Sequence, residues 1–222
     1  MLESRHTEPS GRWLGGALAR FDRDNADLVA PTRALLGAVV AEPQRHARMI
    51  NTLSLLEHMG SHKIMATQHS AGIDQSTLRN VAEEAHHAYF MKRQAEKTAA
   101  RALEYVPEDL LAPTNARMYF QRLDAKMTRD LAALGSERAV YLYMSMIIEF
   151  RALWFYGIYQ DVLQRAKHAL SLKRVLGEEE HHLSEMAERL EARGELDEAH
   201  AAAFLAYEKT LFARLLGGLE RA

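Results

Sequence analysis

Only five prolines and twelve glycines punctuate this chain of 222 residues. They leave long unbroken stretches rich in Ala, Leu, Glu, Arg, Lys and Met, the residues that lose least on entering a helix. No run alternates apolar and polar residues between turn signals, as a half-buried strand would. Such a chain can bury its apolar residues only by packing helix on helix, and an all-α fold is expected. Hydrophobic residues make up 48% of the chain and charged ones 26%, enough for an ordinary core.

The turn residues set the expected boundaries. Residues 1–42 read as an N-terminal extension: a disordered start, a short helix over 13–23 and another beginning after Pro31. Pro43 suits a first helical turn and opens a helix to about residue 70, stopped by Gly72. Asp74 or Ser76 can cap a second helix running towards Tyr105. After a loop between Pro107 and Pro113, a crossover helix covers about 114–134. Gly135 and Ser136 end it and start a third long helix; a turn between 164 and 171 leads to a fourth, ending at Gly194. Residues 43–194 would form a four-helix bundle. Asp197 would cap a last helix, with 195–222 packed on that bundle.

The two hairpins repeat a chemistry. "EEAHH" occupies residues 83–87 and "EEEHH" residues 178–182, and each follows a helix carrying its own glutamate, Glu57 or Glu149. Residues three, four and seven apart share a helix face. Glu57 shares its face with Ile50, Leu53, Ser54, Gly60, Ser61 and Ile64; Glu149 with Leu142, Ser145, Met146, Ala152, Leu153 and Tyr156. Neither face holds another charge, so both carboxylates point into the core, where an uncompensated charge is very costly. The same test selects Glu84–His87 and Glu179–His182 as the inward E-x-x-H pairs. It turns Glu83 and Glu178 outward, where replacement should be tolerated. Four carboxylates and two imidazoles can close around two divalent ions, which neutralise the four negative charges.

In this order, E…ExxH…E…ExxH, the chain resembles the ferritin-like di-iron carboxylate superfamily over residues 43–194. The resemblance implies a ferritin-like bundle with one long crossover. It also implies metal-ligating, catalytic roles for Glu57, Glu84, His87, Glu149, Glu179 and His182, with Glu84 bridging two ions about 3.5–4 Å apart. Iron is the implied metal; manganese or a mixed pair fits the same oxygen and nitrogen donors.

Several classes of function are excluded or disfavoured. With no cysteine, the chain has no disulfide, thiolate zinc site, iron–sulfur cluster or cysteine nucleophile. An electron donor, a ferredoxin or flavin reductase, would have to be external. A net charge of −2 makes no polyanion the default partner, and a nucleic acid is not expected. No apolar run is long enough to span a membrane and the N-terminus lacks an apolar signal core; a cytoplasmic location is expected.

Small residues flank the ligands: Ser54, Gly60, Ser61, Ala88, Ser145 and Ala152. They either leave a substrate cavity or merely let helices approach. On the first reading, Gly60 and Ala152 are places where bulk can be added without touching a ligand. The expected function is then a non-haem di-iron oxygenase or oxidase acting with O₂ on a small, largely apolar organic molecule. Three alternatives stand beside it: a ferroxidase or peroxide-handling protein, a tRNA-hydroxylase-like RNA-modifying member, and a helical module with a vestigial site. His58 and His62, four apart, read as a surface pair or a further metal site. Trp154, Phe155, Tyr156 and Tyr159 read as core or dimer packing, compatible with a homodimer, and Tyr156 lies nearest Glu149.

Overall fold

The computed structural model describes residues 12–67 and 73–222. Eight α-helices account for most of them: α1 (Arg12–Asp24), α2 (Ala26–Ala41), α3 (Pro43–Thr67), α4 (Gln75–Ala99), α5 (Pro113–Ala133), α6 (Val140–Arg165), α7 (Lys173–Ala192) and α8 (Glu198–Arg221). Among the described residues there is no strand, and no helix is long and apolar enough to cross a membrane. The protein is an all-α bundle. Its two principal hairpins pair α3 with α4 and α6 with α7; α5 connects the hairpins and packs on α8, while α2 lies against α6 and α3.

The sequence signals act locally as chemistry requires. Asp74 caps α4 by accepting from the Thr77 amide at 2.7 Å, so of the two candidate caps Asp74 is the one used. Asp197 caps α8 through the His200 amide at 2.8 Å. Gly135 and Gly194 adopt φ of 69° and 65°, the left-handed conformation that ends α5 and α7. The expected stop of α3 near residues 70–72 and the first eleven residues lie outside the described residues.

Two boundaries differ from expectation, and the α6–α7 turn lies where it was expected. Helix α2 begins at Ala26 and carries Pro31 inside it. An interior proline forfeits one helical hydrogen bond at a cost of about 3 kcal/mol; burial of Leu28, Leu35, Leu36 and Val39 offsets it. Helix α4 stops at Ala99, not near Tyr105, because Ala100 turns left-handed (φ 55°). The following loop is held instead by α3: Asn51 Nδ2 donates to the carbonyls of Glu104 and Asp109, both at 2.9 Å. The α6–α7 turn has no glycine, and Lys167 takes the left-handed conformation (φ 51°). Gln160 Oε1 then accepts from the Leu172 amide at 2.6 Å and closes the turn.

The aromatic run of α6 is core. Phe155, Tyr156 and Tyr159 are buried, and Trp154 meets Phe212 of α8 edge-on at 5.8 Å between ring centres. These contacts fasten α8 against the bundle beside the cluster of acidic side chains described next.

Candidate metal centre

Four helices each bring a carboxylate to one place. Glu57 comes from α3, Glu84 and His87 from α4, Glu149 from α6, and Glu179 and His182 from α7. None is more than 9% exposed. The donors converge in two overlapping groups, Glu57–Glu84–His87–Glu179 and Glu84–Glu149–Glu179–His182, with ligand atoms in each group within 4.8 Å of one another. Glu84 and Glu179 belong to both. Each group could hold a metal ion, and all six residues selected from helix facing are present.

Both histidines use the same orientation. His182 Nδ1 faces the cluster, 3.1 Å from Glu179, 3.5 Å from Glu84 and 3.6 Å from Glu149. His87 Nδ1 lies 3.2 Å from Glu179 Oε1, yet off line, so this buried nitrogen has no hydrogen-bond partner. The outer nitrogens are fully engaged. His87 Nε2 donates to Glu178 at 2.8 Å, and His182 Nε2 donates to Glu83 at 2.8 Å.

This corrects the outward reading of Glu83 and Glu178. Each stands behind the histidine of the other helix, so the two E-E-x-x-H clusters clasp one another across α4 and α7. Helix facing was right that these glutamates avoid the cluster itself. It could not say what lies across the interface. The doubled glutamate in both clusters was the available signal. Metal-bound histidines characteristically donate their second N–H to a carboxylate, which fixes the ring and makes it a better ligand.

The electrostatics follow from burying four carboxylates together. Burial, then repulsion from Glu179, raises the Glu57 carboxyl to about 7. Burial and the neighbouring carboxylates push Glu84 and Glu149 well above the usual range. Burial also opposes ionisation of Glu179, but the bond to His182 and the charge of the neighbouring His87 ring outweigh it and bring Glu179 to about 2. Burial disfavours the imidazolium forms, yet the surrounding carboxylates lift His87 to about 9 and His182 to about 12. Protons thus supply the positive charge that divalent ions would supply. The oxygen and nitrogen donor set, the inward Nδ1 atoms and the unpartnered His87 Nδ1 fit a metal centre.

Tyr156 donates a hydrogen bond to Glu57 and adds one more polar contact to the cluster. The other histidines stand apart. His58 is exposed and stacks on Tyr105 at 5.8 Å between ring centres; His62, His86 and His181 are exposed too, and none joins a metal-holding group among the described residues.

A cavity of about 120 Å³ opens beside the cluster. Glu57, Glu84, Glu149, Glu179 and His182 form one part of its wall; Leu53, Ile148, Phe155 and Phe212 are among its apolar residues. The small residues divide between the two expectations. Gly60, Ser145 and Ala152 line the cavity. Ser54 instead draws helices together, donating to the Ala88 carbonyl at 2.6 Å, and Ser61 donates to the His58 carbonyl at 3.0 Å. Gly60 is not a neutral place to add bulk: a Cβ there would sit 3.1 Å from Glu84 Oε2. The carboxylate comes so close because nothing projects from Gly60.

No family model, curated protein or solved structure matches this chain.

Proposed function

We propose that this chain is a non-haem di-iron oxygenase or oxidase of the ferritin-like kind, oxidising a small, largely apolar organic substrate with O₂. One observation carries the reading: a buried four-carboxylate, two-histidine cluster forms part of the wall of an apolar cavity. A site built only to take up and pass on iron has no need of such a chamber.

Glu57, Glu84, His87 and Glu179 would hold one ion; Glu84, Glu149, Glu179 and His182 would hold the other. Iron bound there supplies the activation of O₂, chemistry that no protein side chain performs. The chain's own residues do the rest. Glu83 and Glu178 fix the imidazole rings. Tyr156 keeps its proton and donates a hydrogen bond to Glu57. Leu53, Ile148, Phe155 and Phe212 exclude water and hold an apolar substrate against the carboxylates. Reducing equivalents come from an external ferredoxin or flavin reductase, since the chain has no cysteine with which to carry a cluster of its own. Manganese could replace iron in one or both positions with the same donors.

The test is reconstitution followed by two assays. Anaerobic loading should saturate at two ions per chain. With a reductant and O₂, one of a panel of apolar ketones, aldehydes, amines and alkyl chains should yield an oxidised product. Continued ferrous iron uptake beyond two ions, with no organic product from the panel, would assign the protein to iron handling instead. Failure to bind any ion would reduce the cluster to a relic.

A further inference from the structure

A second polar assembly touches the same cavity, and it contains no metal ligand. Arg151 is 4% exposed and lines the cavity together with Tyr119 and Phe212. Its Nε and Nη2 donate to the two oxygens of Glu208 at 2.9 and 2.8 Å, and Nη2 also donates to Asn25 Oδ1 at 2.6 Å. Glu208 is fully buried and further accepts from the Tyr119 hydroxyl at 2.8 Å. Three rings crowd the guanidinium: the centres of Phe212, Phe21 and Trp154 lie 4.0, 4.8 and 4.8 Å from its central carbon. One edge remains. Nη1 is buried and donates to nothing, although buried donors are almost always satisfied.

We propose that the Nη1 edge of Arg151 is a substrate-binding group that accepts a neutral oxygen, so the substrate is an apolar molecule carrying a carbonyl. The N–H groups of a guanidinium lie in the plane of its fork, so an accepting ligand atom must arrive in that plane. That atom must be an acceptor, since arginine only donates. It must also be uncharged. Arg151 is already neutralised by Glu208, and a carboxylate ligand would add a buried charge with no counter-ion. Lys63, the one lysine on the cavity wall, is taken by Asp124 at 2.9 Å, and His182 by the carboxylates of the cluster. An ammonium group would face a donor and gain nothing.

This assignment rests on reading the cavity as the substrate chamber of the proposed oxygenase, but its test does not need turnover. Octane, octan-2-one, octanoate and octylamine share a chain and differ in one end. Their binding is measured by calorimetry on metal-free and on metal-loaded protein. A hydrogen bond to a charged donor should favour octan-2-one over octane by about tenfold or more. Octanoate and octylamine should bind no better than octane. Arg151→Lys keeps the charge beside Glu208 and removes the planar edge; it should lose the ketone preference while octane binding persists. The pair Arg151→Gln with Glu208→Gln, which removes both buried charges, should do the same. Equal affinity of the parent protein for octane and octan-2-one, the result if Nη1 binds water only, would overturn the proposal. So would tighter binding of octanoate, or a ketone preference that survives in Arg151→Lys. Ion loading is measured on the same samples: a ketone preference in a protein that takes up no metal would sink the oxygenase reading and leave this assignment standing.

Discussion

Glu178 Oε2 stands 2.8 Å from His87 Nε2, on the side of the ring opposite the nitrogen that faces the carboxylate cluster. Its counterpart, Glu83 against His182, has the same length. Glu178 is itself tied to Arg174 at 2.8 Å. Burial pushes its carboxyl up, but its bonds to Arg174 and His87 outweigh that and keep it below the usual range. An ionised acceptor therefore waits behind His87 at neutral pH.

Removing that acceptor should weaken metal binding without removing a ligand. Glu178→Ala and Glu83→Ala should each lower affinity by about 10–100-fold, as read by competition with a chelator. The glutamine variants should recover part of the loss, because an amide oxygen still accepts from Nε2. Glu180→Ala, at an exposed neighbouring position, is the control. If Glu178→Ala binds metal as Glu180→Ala does, the clasp has no part in the site.

Gly60 and Gly157 should respond oppositely to alanine. A Cβ at Gly157 meets nothing within 4 Å, whereas one at Gly60 meets Glu84 Oε2 at 3.1 Å. Gly157→Ala should raise stability by about 0.5–1 kcal/mol, the usual gain within a helix. Gly60→Ala should forgo that gain and lower metal affinity, since Glu84 belongs to both donor groups. Thermal unfolding and metal titration of the two variants decide the point; unchanged affinity in Gly60→Ala would show that Glu84 moves aside freely.

The pH dependence of the metal-free protein has a definite sign. His87 is raised from 6.5 to about 9, so its stabilisation is complete below 6.5 and is lost as pH rises through 9. Glu57, raised from 4.5 to about 7, likewise stabilises below 4.5 and loses this through 7. Glu179, lowered to about 2, contributes above 4.5 and loses it only as pH falls towards 2. Metal-free stability should therefore fall between pH 5 and 9. Metal affinity should rise over the same interval, because ions displace these protons. Denaturant melts with and without metal would show it, and parallel pH profiles for the two forms would contradict it.

The Arg151–Glu208 pair should be costly to break singly. Both partners are nearly inaccessible, and stranding one buried charge typically costs about 3–5 kcal/mol. Arg151→Met or Glu208→Leu alone should show that loss in urea unfolding. Combining Arg151→Met with Glu208→Leu should restore much of it. A double variant as unstable as the sum of the singles would mean that packing, not charge, sets the cost.

The sequence by itself determined the helical class, most helix ends and the six inward donors. These follow from rules that act within a turn or two: propensity, capping, left-handed glycine and the 3.6-residue period that puts Glu84 with His87 and Glu179 with His182. Where a boundary departed from those rules, the cause was distant. Asn51 of α3 holds the loop after α4, and burial of one face of α2 offsets Pro31.

Tertiary structure decided everything that depends on which faces meet and how closely. Periodicity turned Glu83 and Glu178 away from the cluster, but only the α4–α7 contact shows that each ends on the other helix's histidine. Arg151 and Glu208, 57 residues apart, share no local signal. Ser54 and Ser145 are the same residue on equivalent faces; Ser54 closes a helix contact while Ser145 lines a cavity. A helix period fixes the direction of a side chain. The distance to its neighbour is set by the packing of the whole bundle, and that distance separates a space filled by a carbonyl from one left for a substrate.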